Sequence, residues 1–426
     1  MQVTKELEYH KSKSWKNGTL KKRHCYASFD KYPVYLDMRQ QMVEAKALTS
    51  KPLYQEPAEG IASNTIFTDH KTFINFSSYN YLGLVGDDRV NKAAVEAIYG
   101  NGTSVSASRI ASGERPLHRE LEESLADFLK VEDALVYTAG FMTNASTISY
   151  LMGENDLVII DSLAHNSIVF GATSAQADLR IFPHNNTHYL KQLLERHRDD
   201  YERVLIVIEG VYSVDGDIPD LPKFIELKKQ YDCFLMVDEA HSIGTIGKTG
   251  HGISEYYNVN SKDVDIWMGT LSKTLASCGG YIAGAESLIQ LLRYFSPGFV
   301  YSCGLSPPNT AAALAALEIT KIEPERVQQL QKNAKFMSDL LIEGGVNIGL
   351  SKDSPVIPVV IGDKVTAWKF NIELRTYNIY THVISYPVVK KNKARIRLFI
   401  NNQHTEEQLI YTAKCILELY KKYVIS

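Results

Sequence analysis

One lysine in this chain keeps company that charged side chains normally avoid. Lys273 lies in the stretch Trp267 to Gly284, WMGTLSKTLASCGGYIAG, among Leu271, Leu275, Ala276 and Ile282. Such a setting favours burial and a lowered pKa, which is what an amine needs to attack a carbonyl and hold it as a Schiff base. The hydroxyls of Thr270, Ser272 and Thr274 are short donors suited to a phosphate, and Gly279 with Gly280 lets a backbone or ligand come close. Alone, the stretch reads more readily as a buried strand turning into a loop around a snorkelling lysine. Other groups with chemistry to offer recur upstream: Asp161 and His165, Glu209 and Ser213, Asp238 and His241. Singly, each histidine reads as a hydrogen-bonded core residue, Asp238 as a strand-end cap, and Arg397 as half of a surface ion pair.

These groups fall at the ends of apolar runs. LVIID (157 to 161), RIFP (180 to 183), VLIVIEG (204 to 210) and FLMVDEAH (234 to 241) alternate with helical segments such as THYLKQLLERHRDDY and LPKFIELKKQYD. Near-continuous apolar strands alternating with helices predict an α/β fold, a mainly parallel central sheet flanked by helices. Ligands bind such sheets at the carboxyl ends of the strands, where the polar residues stand. Upstream, FINFSSYNYLGL reads as a strand ending in a polar turn, in which Asn80 either faces a ligand or caps its own turn. The strand Ala134 to Tyr137 leads through Ala139 and Gly140 into a helix from Phe141. That arrangement makes an anion site from backbone N–H groups, although a helix merely following a tight turn is commoner. In the helix before it, Arg119, Glu120, Glu122 and Glu123 around Leu117, Leu121, Leu125 and Phe128 read as a solvated face.

Residues 1–60 lack a sustained hydrophobic period and read as an arm that packs on something else, a second subunit being the natural candidate. Residues 61–300 form the large α/β domain, and 301–426 a smaller α+β C-terminal domain. With 426 residues, 45% hydrophobic, 22% charged and a net charge of −3, the chain lacks the basic footprint of a dedicated nucleic-acid binder. No apolar run approaches the ~18 residues of a membrane span, and Met1 to Asp30 has no signal-peptide core. A cytoplasmic protein is expected, any membrane contact being peripheral and made by the basic arm. The five cysteines are far apart and never in metal-ligand spacing, so free thiols and no metal are expected. DEAH at 238 to 241 and GKT at 247 to 249 imitate an ATPase, but a phosphate loop needs glycine where Ser242 stands.

In their order, the motifs resemble those of a known family. SYNYLGL with Asn80, DSLAHNS with His165, EGVYSVDGD at 209 to 217, VDEAHSIGTIGKTGHG at 237 to 252 and GTLSKTLASCGGYIAG at 269 to 284 are similar to the signature runs of the α-oxoamine synthases. The resemblance covers nearly the whole chain from about Tyr32. It implies the pyridoxal phosphate-dependent transferase fold of type I and an acyltransferase that condenses an amino acid with an acyl thioester. In that family's scheme Lys273 holds pyridoxal 5'-phosphate as a Schiff base and later shuttles the Cα proton. Asp238 pairs with the pyridinium nitrogen, His165 stacks on the ring, and His241 and Ser213 contact its phenolic oxygen or the substrate. The turn Ala139, Gly140, Phe141, with Thr270 and Ser272, cradles the phosphate, while Arg397 and Asn80 grip the substrate carboxylate. A hydroxyl before PP often reaches the neighbouring subunit's phosphate in the family; YSCGLSPP offers Ser302 in place of Cys303.

The resemblance further implies a homodimer whose substrates are an amino acid and an acyl-CoA or acyl-carrier protein. The turn YNY, the HNN after Pro183 and the long arm are most similar to bacterial serine palmitoyltransferase. L-serine and a long-chain acyl thioester are therefore the first expectation, pointing to sphingoid-base synthesis. The 8-amino-7-oxononanoate synthase, 2-amino-3-ketobutyrate CoA ligase and secondary-metabolite types are the alternatives. A plain aminotransferase fits the DEAH histidine less well, and a non-catalytic partner subunit normally lacks the lysine.

Overall fold

The computed structural model describes residues 28–49 and 54–425. Much of the expected N-terminal arm, residues 1–27 and 50–53, lies outside the described residues. Within it Pro33–Lys46 forms a helix, started by a proline whose fixed φ suits the first turn. None of its side chains is buried by the described residues, which leave Val34, Leu36 and Val43 exposed.

Among the described residues fourteen strands form three sheets. The strands β1 (Ala58–Glu59), β2 (Thr65–Thr68) and β3 (Lys71–Asn75) precede the central seven: β4 (Asp133–Tyr137), β5 (Leu157–Asp161), β6 (Asp178–Phe182), β7 (Val204–Glu209), β8 (Phe234–Asp238), β9 (Ile266–Thr270) and β10 (Gly280–Gly284). Toward the C-terminus come β11 (Val356–Gly362), β12 (Ile379–Tyr380), β13 (His382–Ile384) and β14 (Ala394–Phe399).

The central sheet runs β4-β10-β9-β8-β7-β5-β6, with β10 antiparallel to both its neighbours and the other pairings parallel. The inner parallel strands β5 and β7, and β8 beyond Phe234, are buried on both faces, whereas the edge strand β6 is mostly half-exposed, and alternate residues feed two separate cores. Ile159, Ile206, Leu235 and Trp267 enter one, and Val158, Leu205, Met236 and Met268 enter the other. That division is the period of two of a pleated strand. Parallel neighbours require crossover helices, whereas the antiparallel return from β9 to β10 does not. Residues 271–279 therefore close a compact loop at the carboxyl end of β9, and Lys273 rides on it.

Two features depart from the sequence expectations. Strand β3 pairs in parallel with β12, Ile74 opposite Ile379, so a segment assigned to the large domain is stitched into the C-terminal part of the chain. The helix Pro116–Leu129 does not present a wholly solvated charged face, because Glu122 is fully buried. Its carboxylate accepts from Arg109 Nη1 at 2.5 Å, Arg119 Nη1 at 2.8 Å, Arg293 Nη2 at 3.2 Å and the Val136 amide at 2.9 Å. Burial opposes this charge, and Arg109 with Arg293 and the Val136 amide outweighs it, holding the carboxyl below its ordinary range.

The C-terminal sheet runs β11-β14-β13. Alternation along β14 sends Ile396 and Leu398 into the core and places Arg395, Arg397 and Phe399 on the opposite face, toward the carboxyl ends of β7 and β8. Among the described residues no helix is long and apolar enough to cross a membrane.

Candidate active site

The strand ends bring the predicted residues together around Lys273. Its ammonium lies 5.5 Å from the centroid of the Tyr79 ring. Burial pushes its pKa down to about 8, Asp238 and Glu209 oppose the fall, and Arg397 adds to it. Beside it opens a cavity of 290 Å³ lined by Tyr79, Asn80, Ser272, Lys273, Tyr380 and His382 among others.

Asp238 ends β8 in a buried position and accepts from Asn144 Nδ2 at 2.8 Å and the Ala240 amide at 3.0 Å. Asn144 Nδ2 also donates to Ser167 Oγ at 2.9 Å, and that hydroxyl reaches His165 Nδ1 at 2.7 Å. Because the Ser167 amide donates to the same Nδ1, the ring proton sits on Nε2. His165 keeps part of its surface open to solvent, while its Nδ1 side is part-buried against Ser167. Its surroundings lower its pKa through burial, Asp238 works against this, and Lys273 reinforces it.

His241 is buried, and its Nδ1 shares a hydrogen bond with Tyr81 Oη at 2.8 Å. Burial keeps Tyr81 protonated well beyond its usual range. Burial, then Lys273 and Arg397, holds His241 well below the usual histidine value, so its ring is neutral at pH 7. Its imidazole stacks on Phe399 at 5.9 Å and meets Tyr79 edge-on at 5.9 Å. Arg397 Nη1 donates to the Ser213 carbonyl at 2.9 Å, and Ser213 in turn donates its amide to Glu209 Oε2 at 3.3 Å.

The turn expected to hold a phosphate joins a strand end to a helix N-terminus. The helix Gly140–Leu151 begins at Ala139 with no side chain capping its first amides, leaving Gly140 and Phe141 at a bare, positive N-terminus. A Cβ on Gly140 would lie 2.9 Å from Thr270 Oγ1, so the ends of β4 and β9 press together here. Thr270 Oγ1 donates to the Gly279 carbonyl at 3.0 Å and accepts from the Ser272 amide at 3.2 Å. Gly279 has φ of +137° and a Cβ there would meet the Tyr137 carbonyl at 2.7 Å, which demands glycine.

Asn80 takes the turn-capping of its two readings: Nδ2 donates to the Ala62 carbonyl at 2.9 Å and Oδ1 accepts from the Val85 amide at 3.0 Å. Ser302 is half-buried on the turn before Pro307, next to Tyr301, which is 85% exposed.

A family model for class I and II aminotransferases matches residues 71–416, and the chain belongs to that family. Within it, an 8-amino-7-oxononanoate synthase of Petrotoga mobilis is 40% identical over 340 residues, covering 80% of this chain and 86% of its own. The chain is an α-oxoamine synthase. A second relative, 8-amino-7-oxononanoate synthase 1 of Bacillus subtilis, is 36% identical over 351 residues, 82% of this chain and 89% of its own. Among solved structures, a serine palmitoyltransferase of S. paucimobilis with PLP and myriocin bound superposes with a TM-score of 0.88 at 26% identity, over 93% of this chain and 99% of its own. The type I fold expected of an α-oxoamine synthase is thus shown.

Some parts of this synthase's site escaped the sequence reading. Asn144, which links Asp238 to Ser167, sits one turn inside a helix and looks like any helical asparagine. Tyr79 and Tyr81 flank the asparagine that drew attention, and their contacts with Lys273 and His241 are purely tertiary. The EGVYS string did point at Glu209, whose Oε1 is buried with no hydrogen bond of ordinary geometry among the described residues.

Proposed function

We propose that Lys273 covalently anchors pyridoxal 5'-phosphate and that the protein is a homodimeric, cytoplasmic synthase joining an amino acid to an acyl thioester with loss of CO2. The residues fit the cofactor on three counts. The bare helix N-terminus at Gly140 abuts Thr270, where a Cβ would intrude. Asp238 brings a buried carboxylate held by two donors, matched to a protonated ring nitrogen. Lys273 has the depressed pKa of an amine ready to attack. When bound, the cofactor supplies an electron sink for the Cα carbanion.

The chain's own residues do the rest in this reading. Asp238 would keep the pyridine nitrogen protonated, and His165 would pack against the ring. Neutral His241 and Ser213 face the phenolic oxygen or the incoming substrate. Arg397 takes the amino acid's carboxylate bidentately, with Asn80 bracing the turn beside it. Lys273, once released, carries the Cα proton. Exposed Phe141 and Phe170, 5.6 Å apart beside the proposed phosphate turn, together with Tyr301 and the helix Pro33–Lys46, which the described residues leave exposed, support a second copy of this chain packing there. Ser302 is then placed to serve the partner's phosphate.

The amino acid and acyl group follow from the relatives. Identities of 36–40% to enzymes named 8-amino-7-oxononanoate synthase support that type, an alternative in the sequence reading, above the serine palmitoyltransferase type first expected. An 8-amino-7-oxononanoate skeleton decomposes into alanine, less its carboxylate, and a seven-carbon acyl group ending in a carboxylate. A serine-using, long-chain enzyme remains the second reading, favoured by Tyr79 in YNY and by the superposition on serine palmitoyltransferase. Thiol release measured over L-alanine and L-serine, each with a seven-carbon carboxylated and a long-chain acyl thioester, separates the two. Turnover with alanine and the carboxylated thioester is expected; turnover only with serine and the long chain reverses the assignment.

A further inference from the structure

A residue with no part in that scheme ties two walls of the site together. His184 follows β6 and stands between two buried carboxylates, its Nδ1 2.9 Å from Asp161 Oδ1 and its Nε2 2.8 Å from Asp217 Oδ2. A neutral imidazole has one N–H and could donate to only one of them. An acceptor at each ring nitrogen calls for the doubly protonated ring. Burial opposes the charge, but hydrogen bonds to Asp161 and Asp217 raise the pKa of His184 to about 10. Asn185 reinforces the link, its amide donating to Asp161 Oδ2 at 2.8 Å and its side chain to Asp217 Oδ2 at 2.6 Å. Tyr212 meets the His184 ring edge-on at 4.5 Å and completes its surroundings.

The two carboxylates belong to different walls. Asp161 Oδ1 accepts from the Leu163 amide at 2.8 Å and so shapes the turn leading to His165. Asp217 closes the loop after β7, its carbonyl accepting from the Tyr212 amide at 3.1 Å. That loop offers the Ser213 carbonyl to Arg397 and the Asp215 carboxylate to Arg395.

Resting on the reading of Arg397 as the carboxylate grip, we propose that His184 is a positioning residue: a cation hydrogen-bonded at both ring nitrogens that holds the His165 turn and the Arg397-aiming loop in register for amino-acid binding. His184→Gln leaves two buried carboxylates without their shared cation, which costs less once one of them takes up a proton. Removing one of those carboxylates by Asp217→Asn relieves the same conflict.

The test titrates the cofactor-loaded wild type, His184→Gln, Asp217→Asn and the double variant with L-alanine and L-serine, following the cofactor's visible absorption across neutral and mildly acidic pH. His184→Gln is expected to raise the half-saturating amino-acid concentration about tenfold, less so toward acid, and to cost little in the Asp217→Asn background. Unchanged half-saturation, or the same penalty with and without Asp217, overturns the proposal. A wild type whose absorption ignores every amino acid strikes at the assignment of the site instead. Independently of any variant's folding, 15N NMR of histidine-labelled wild type is expected to show one ring, perturbed by Asp217→Asn, still doubly protonated well above the ordinary histidine range. A neutral ring there at pH 7 also overturns it.

Discussion

Glu209 and Asp238 are register partners on β7 and β8, so two carboxyl groups arrive side by side at one buried strand end. Their surroundings differ. Asp238 takes two donors, whereas Glu209 has the Ser213 amide on Oε2 and, among the described residues, no hydrogen bond of ordinary geometry on Oε1. Burial first, then the Asp238 charge, pushes the Glu209 carboxyl well up, against the pull of Lys273, so this strand end favours the neutral form of Glu209. Glu209→Gln, a mimic of the protonated acid, is expected to keep kcat/KM within about threefold, while Asp238→Asn lowers it on the order of 100-fold or more. Equal losses in both would show that the charge is assigned to the wrong carboxyl.

Gly140→Ala tests the phosphate turn. Its Cβ would stand 2.9 Å from Thr270 Oγ1, forcing apart the two turns proposed to hold the phosphate. Cofactor affinity measured by equilibrium dialysis is expected to fall about tenfold, near 1.4 kcal/mol, with little change in secondary structure. Undiminished affinity would move the phosphate elsewhere.

The pH dependence of cofactor capture tests the environment of Lys273. Only the neutral amine attacks, and the pKa of Lys273 lies at about 8 rather than 10.5. The rate at which cofactor-stripped protein gains visible absorption is therefore expected to rise with pH and level off above about 8. Removing Arg397, which lowers this pKa, shifts the midpoint upward; Asp238→Asn, which removes an opposing negative charge, shifts it downward. A midpoint unmoved by either variant contradicts the assigned neighbours.

Glu122 makes the stability prediction. Glu122→Ala leaves Arg109 buried without its carboxylate and is expected to cost about 3–5 kcal/mol, read from the urea midpoint. The folded carboxyl is held below its usual 4.5, so its contribution is complete above that pH and is lost as pH falls through the folded value. The variant's stability should thus depend less steeply on pH in acid than that of the wild type.

What the sequence made legible follows from what is local. The apolar runs of β5, β7 and β8 announced buried parallel strands, and Asp161, Glu209 and Asp238 stand at their carboxyl ends as that arrangement demands. Lys273 was visible because its neighbours are apolar. Glu122 was misjudged because a glutamate flanked by charges on a helix looks solvated, and the arginines that bury it come from residues 109 and 293. The β3 pairing with β12 joins short segments some three hundred residues apart, and neither carries a local trace of it. Tyr81 reaches His241 across 160 positions of sequence, a contact that only the fold creates.

Lys273 is proposed to carry the cofactor. Borohydride reduction of the cofactor-loaded protein, followed by peptide mapping, is the direct measurement. The label is expected on the peptide containing Lys273 and absent from Lys273→Ala, which also lacks the visible band. Label on another lysine, or a visible band and turnover retained in Lys273→Ala, would contradict it.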